Sequence, residues 1–206
     1  MKHFSSLLLI AGVLLIASCG TQKVANKAQR TAKLKAKEWK KEGYKVMGAG
    51  VAEIMLEEFY LATMSRDAET GFPVYLTTEV VGIESTNLDV ALQEATDAAT
   101  ARIATQIRAK VEGKSTRDVN NSDGQAYTKY LSTAATRTSA KLSGGQVLYK
   151  VYKETRKGYA VTIGYAYSFE NAAEMFRQEM MLAMAQESEA YRKQAEAEFM
   201  LGLAEF

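Results

Sequence analysis

The stretch that most constrains this chain is residues 7–16, ten apolar or glycine positions closed by Ala17-Ser18-Cys19. A helix crossing a bilayer core needs roughly twenty apolar residues. A run half that length, preceded by the positive Lys2, therefore reads as an export leader that is cut away. Cutting before Cys19 leaves 188 residues, enough for one domain with a sizeable core. The same cut removes His3, the only histidine, and leaves Cys19, the only thiol, as the first residue.

The step Ile16-Ala17-Ser18-Cys19 resembles the bacterial lipobox, in which an apolar residue and two small ones precede a cysteine that receives a diacylglyceryl group on sulfur. That resemblance implies lipidation at Cys19, and two acyl chains suffice for stable membrane anchoring. An ordinary secretory peptide or an uncleaved signal anchor is the plainer alternative. Gly20 follows the cysteine where an Asp would resemble an inner-membrane retention signal, and no acidic cluster follows. The expectation is a lipid anchor in the outer membrane, on its periplasmic side more than at the cell surface.

This subtraction limits the chemistry. Without histidine or a free thiol there is no Ser-His-Asp or Cys-His mechanism, no His or Cys zinc site and no internal disulfide. We expect no catalytic residue, cofactor or metal, and not an enzyme. Charge is uneven: residues 20–45 hold nine Lys or Arg against Glu38 and Glu42, about +7, whereas residues 46–206 hold sixteen basic and twenty-two acidic residues, about −6. A basic segment beside a lipid anchor can be drawn to anionic head groups or can be a solvated tether. Nucleic acid, the usual partner of basic clusters, is not expected in this compartment.

Periodicity divides the chain into the leader 1–18, a lipidated basic tether or helix 19–42, a central domain 43–168 and a long C-terminal helix 169–206. Residues 22–42, rich in Lys, Ala and Gln, suit a solvated helix stopped by Gly43. A short strand over 44–47 and a glycine turn lead into a helix over 52–64, with Ile54, Met55, Phe59 and Leu61 on its apolar face. Gly48 and Gly50 lack the third glycine of a dinucleotide fingerprint, Glu53 standing in its place. Pro73 opens a strand over 74–84, with Val74, Leu76 and Val80 on one face and Tyr75, Val81 and Ile83 on the other. Thr86 and Asp89 form a capping box for a helix over 88–112, whose inward line runs through Leu88, Ala91, Leu92, Ala95, Ala98, Ala99, Ile103, Ile107 and Val111 to a stop at Gly113. Two motif fragments fail on composition: 113–116 lacks the first glycine of a phosphate loop, and 118–129 lacks the glycine and bidentate acid of a calcium loop.

A helix over 124–142, capped by Ser122 with Gln125, turns Tyr127, Leu131, Ala134, Ala135 and Leu142 inward. A hairpin follows, its strands over 146–155 and 159–167 joined at Arg156-Lys157-Gly158. Tyr159, Val161, Ile163, Tyr165 and Tyr167 share one face of its second strand. The small residues Ala160, Thr162, Gly164 and Ala166 share the other, which is expected to receive the alanine-lined helix. The tyrosines could stack on glycans, although packed sheet residues are the simpler reading. From Phe169 a single helix of about thirty residues, about 45 Å long, should outrun the domain and project, pack along the N-terminal helix or meet another chain. Met180 and Met184 on it are candidates for core or for an adaptable contact surface.

The series Gly43-Tyr44, the alanine-lined helix with Ala101-Arg102, Leu142-x-Gly144 and Tyr159-x-Val161-x-Ile163-x-Tyr165 resembles the Lpp-twenty outer-membrane lipoprotein family and the related N-terminal domain of the flagellar assembly protein T. The resemblance covers 43–167 and implies an α+β domain with a structural or scaffolding role and no catalytic residues.

The expectations are therefore an α+β fold, a small mainly antiparallel sheet with helices packed on it, flanked by a basic N-terminal helix and a long C-terminal one. The expected function is an outer-membrane-anchored, non-enzymatic interaction or assembly module, its partner an envelope protein or a second copy met through the last helix. The alternative is a binding protein for cell-wall glycan or another envelope ligand. Tyr159, Tyr165, Tyr167, Met180 and Met184 are the candidate contact residues.

Overall fold

In the computed structural model the described residues are 4–115, 122–204 and 206, with backbone alone for 4–21. Six helices and four strands follow in the order α1 Phe4–Glu42, β1 Lys45–Val46, α2 Ala52–Met64, β2 Tyr75–Ser85, α3 Leu88–Glu112, α4 Ser122–Lys141, β3 Gln146–Thr155, β4 Gly158–Ser168, α5 Phe169–Ala183 and α6 Glu189–Leu203. The strands form one antiparallel sheet ordered β1-β3-β4-β2, so the fold is α+β with helices packed on a small sheet. Asp118 and Asn120, in the rejected calcium-loop fragment, lie outside the described residues, and Cys19 lies in the part of α1 without described side chains.

The sheet is covered on both faces by separate cores. On one face α3 lays Ala91, Ala95, Ala99, Ile103 and Ile107 against Val80, Val161, Ile163, Tyr165 and Tyr167, with α4, α5 and α6 outside it. On the other face, Ala32, Ala36 and Trp39 of α1 and Leu56 and Phe59 of α2 enclose Tyr149 and Val151. The expected pairing of small strand face with small helix face is thus reversed. A line of alanines leaves a trough that large strand side chains fill, and interdigitation of large with small is what close packing requires. The small face of β4 receives an aromatic ring: a Cβ placed on Gly164 would stand 2.1 Å from Cε1 of Tyr149.

Local chemistry sets the element ends. Gly43 takes φ +79°, and the Tyr44 N–H returns to the Trp39 carbonyl at 2.9 Å, the Schellman closure that a glycine after the last helical residue permits. Helix α3 is capped by Asn87 and not by Thr86, the Asn87 side chain accepting from the N–H groups of Asp89 and Val90. In α2 it is Leu56, Phe59 and Ala62 that are buried, while Ile54 is 58 % exposed. The β2–β4 register slips between Val80 and Ile83, where Gly82 takes φ +73° and donates to Thr162 Oγ1 at 3.2 Å. This bulge returns Ile83 to the α3 side with Val80 and leaves Val81 exposed, so Val81 and Ile83 do not share a face.

The long C-terminal helix is two helices. The chain leaves α5 at Met184, and Ser188 caps α6 by accepting from the Tyr191 N–H at 3.2 Å. Helix α6 folds back onto α3, close enough that a Cβ on Gly202 would meet the Val111 backbone at 2.6 Å. Nothing projects as one rod from this end; Phe176 and Phe199 stack across the α5–α6 pair with ring centroids 5.8 Å apart.

Arg177 fastens the same pair, bonding Glu174 on its own helix and, at 2.6 Å, Glu196 on α6. The guanidinium and Gln178 hold the Glu174 carboxyl at about 2, below its ordinary 4.5. A carboxylate lowered on folding stabilises the fold above its unfolded pKa and loses that contribution as pH falls from about 4.5 toward 2. Glu174 is largely exposed, so Glu174→Gln should cost less than about 1 kcal/mol at neutral pH. The two proteins should converge in acid, as denaturant midpoints measured down the pH scale would register; a gap that persists at the lowest pH would contradict this.

Candidate functional site

The five candidate contact residues form no shared surface: Tyr165, Tyr167, Met180 and Met184 belong to the core on the α3 side of the sheet. Met180 and Met184 are fully buried beneath α5, which corrects their reading as a contact surface. They are core because the stripe Phe169, Ala173, Phe176, Met180, Met184 turns inward against α3 and α4. Tyr167 is also core. Tyr159, at the far end of the hairpin, packs edge-on against Tyr152 with centroids 5.9 Å apart.

Tyr165 lies at the floor of a cleft of about 450 Å³ between α3 and the end of α4, lined by Gln93, Asp97, Thr100, Ser139 and Ser143. Its ring is only 3 % exposed, and a Cβ on Gly145 would stand 2.0 Å from its hydroxyl. Burial, with the neighbouring Tyr167 adding to it, raises the Tyr165 hydroxyl pKa. The cleft has polar walls, Gln93 donating to Asp97 at 2.9 Å. The buried ring gives a sugar no face on which to stack.

The better-built site is where α1 meets the sheet. Trp39 sits edge-on to Tyr149 at 5.0 Å and within 6.1 Å of Tyr44, and Phe59 meets Tyr149 from the other side at 5.2 Å. The Tyr149 hydroxyl donates to Glu79 Oε1 at 2.5 Å. Burial first, then that bond and the Glu79 charge, push the tyrosine pKa far upward. Tyr149 therefore stays a neutral donor and gives partly buried Glu79 a partner. Lys35 of α1 also feels Glu79, although its nearer partner is Glu38 at 3.4 Å. At the sheet edge Lys45 of β1 bonds Glu154 of β3 at 2.7 Å, a contact fully open to solvent.

Beside Trp39 lies a groove of about 560 Å³, with Tyr44, Val46 and Val51 on its walls and Lys33, Lys37 and Lys40 at its rim. The count of basic residues along the tether is plain in the sequence. Their grouping at this junction depends on which side of α1 is buried, and Ala28, Ala32 and Ala36 give no large apolar signal of it. No helix among the described residues is long and apolar enough to cross a membrane. No family model, curated protein or solved structure matches this chain.

Proposed function

We propose that the chain is an outer-membrane lipoprotein, anchored through Cys19, whose α+β body is a non-enzymatic interaction or assembly module on the periplasmic side. The observation that carries this reading is the junction of α1 with the sheet. The helix that contains Cys19 continues without a break to Glu42 and is clamped on the body at Ala28, Ala32, Ala36 and Trp39. At 1.5 Å per residue, Ala28 lies only about 14 Å along the helix from the anchoring residue. An acyl group there would hold the body at a fixed distance and angle from the bilayer, as suits a module presented to a partner.

The lipobox-like step and the resemblance of the 43–167 series to envelope lipoproteins support the same reading. A second reading, an envelope-ligand binder, draws on the polar cleft at Tyr165.

The test is Cys19→Ser expressed in a bacterium with an outer membrane. Wild type should take up an alkyne-tagged palmitate, lose residues 1–18 and float with outer-membrane vesicles. The variant should carry no label and keep its leader. A wild-type product that is unlabelled, or found in the soluble periplasmic fraction, would refute the anchor.

A further inference from the structure

In α1 the residues Lys23, Lys27, Arg30, Leu34, Lys37 and Lys41 are all exposed and recur at alternating spacings of four and three. In a helix of 3.6 residues per turn, those spacings hold them on one line about 27 Å long. That line is diametrically opposite Ala28, Ala32, Ala36 and Trp39, by which the helix is docked. The surface therefore faces directly away from the body and contains no acidic side chain. Glu38 and Glu42 lie on one flank, and Glu38 is engaged with Lys35. On the other flank Lys33 and Lys40 widen the basic face to the groove rim. Leu34, 65 % exposed, stands in the middle of the stripe.

We propose that this stripe is a membrane-binding face, on which α1 lies flat against anionic lipid head groups with Leu34 inserted between them and the body held above. The proposal rests on the anchor reading, which sets the bilayer surface at Cys19, about one turn before Lys23. An apolar residue flanked by long basic side chains is the arrangement of an interfacial helix, whose stems lie along the acyl boundary while the charges stay with the phosphates. The charge of the rest of the chain fits this orientation. Residues 46–206 carry about −6, so an anionic surface draws the stripe down and repels the body. An upright helix would leave most of this line in water with no oppositely charged surface to meet.

The experiment uses the lipidated protein carrying Leu34→Cys and an environment-sensitive fluorophore, the Cys19 sulfur being blocked by its lipid. Bound to phosphatidylglycerol-rich vesicles, the label should shift to the blue and be quenched by a lipid-borne quencher. On pure phosphatidylcholine vesicles the acyl chains should keep the protein bound while the label reports water. Adding Lys27→Gln, Arg30→Gln and Lys37→Gln should lower the ratio of flat to upright protein on the order of a hundredfold. Equal emission on both lipids overturns the proposal. So does a shift that grows with protein density and not with anionic lipid, which would make the occupant the acidic body of a second copy. If the protein does not stay on phosphatidylcholine and takes a second label at Cys19, the anchor reading fails on its own. The stripe is then judged by flotation with phosphatidylglycerol vesicles, where absence of binding refutes it.

Discussion

Gly164→Ala should destabilise the protein by about 3 kcal/mol, close to the cost of deleting a buried aromatic ring. The added methyl would stand 2.1 Å from Cε1 of Tyr149, a separation no packing adjustment of a few tenths of an ångström relieves. The ring cannot tilt aside. Trp39 and Phe59 hold its two edges at 5.0 and 5.2 Å, and its hydroxyl is tied to Glu79. It must leave the site, and the core formed with α1 and α2 loses its centre. For a chain of this size the midpoint of thermal unfolding should fall by about 10 °C, with a matching drop in denaturant midpoint at unchanged slope. The decisive measurement is a double-mutant cycle with Tyr149→Ala. Once the ring is gone the methyl has nothing to strike, so the double variant should be about as stable as Tyr149→Ala alone. Two additive losses would show that Gly164 matters for some reason other than Tyr149.

That contact also marks the limit of what the sequence could reveal. Helices over 52–64 and 88–112 and the strand over 146–155 have the bounds expected of them. Punctuation at the ends sets these bounds: Gly50 just ahead of the first, Asn87 and Gly113 around the second, and Gly144-Gly145 ahead of the strand. The face of β4 that receives α3 is not legible in the strand alone, because size by itself does not say which surfaces meet. Complementarity does, and it needs both partners. The bulge at Gly82 had a visible signal, an isolated glycine within a strand pattern. The break after Met184 had a weaker one. No glycine or proline interrupts 169–200, and Tyr191, seven residues after Met184, keeps the period of the stripe, so Ser188 followed by Glu189, a cap signature, is what marks the break.

The candidate site was legible in composition and hidden in orientation. The nine basic residues within 20–45 are counted directly. That six positions of the helix form one outward stripe follows only after Trp39 is fixed as the inward residue, because α1 carries too few large apolar side chains to define its own buried face. Tyrosine and methionine are chemically versatile, but the large side chains of Tyr165, Tyr167, Met180 and Met184 fill the core and are buried there.

Trp39→Ala should release α1 from the body while the body stays folded. Of the α1 side chains that dock, Ala28, Ala32 and Ala36 each remove little surface from water, so Trp39 carries most of the attachment, about 3–5 kcal/mol. Most helical stability in proteins comes from tertiary packing, and residues 22–42 hold eight Lys or Arg against two Glu, like charges that repel at spacings of four along a released helix. Hydrogen exchange should therefore show amides 28–42 approaching the rates of an open chain, and trypsin should cut quickly at Lys33, Lys37 and Lys40. Amides 91–111 of α3, on the opposite side of the sheet, should keep their protection. Equal loss of protection in α1 and α3 would mean that the two cores unfold as one unit and that the helix is part of the body. Retained protection in α1 would place the attachment elsewhere than Trp39. With α1 released, an acylated Cys19 would still hold the chain to a bilayer, but through a flexible tether, so the body would lose its fixed distance and angle. A partner complex that survives Cys19 acylation intact yet is lost in Trp39→Ala would locate function in the presentation of the body, and one unaffected by the substitution would reduce α1 to a leash.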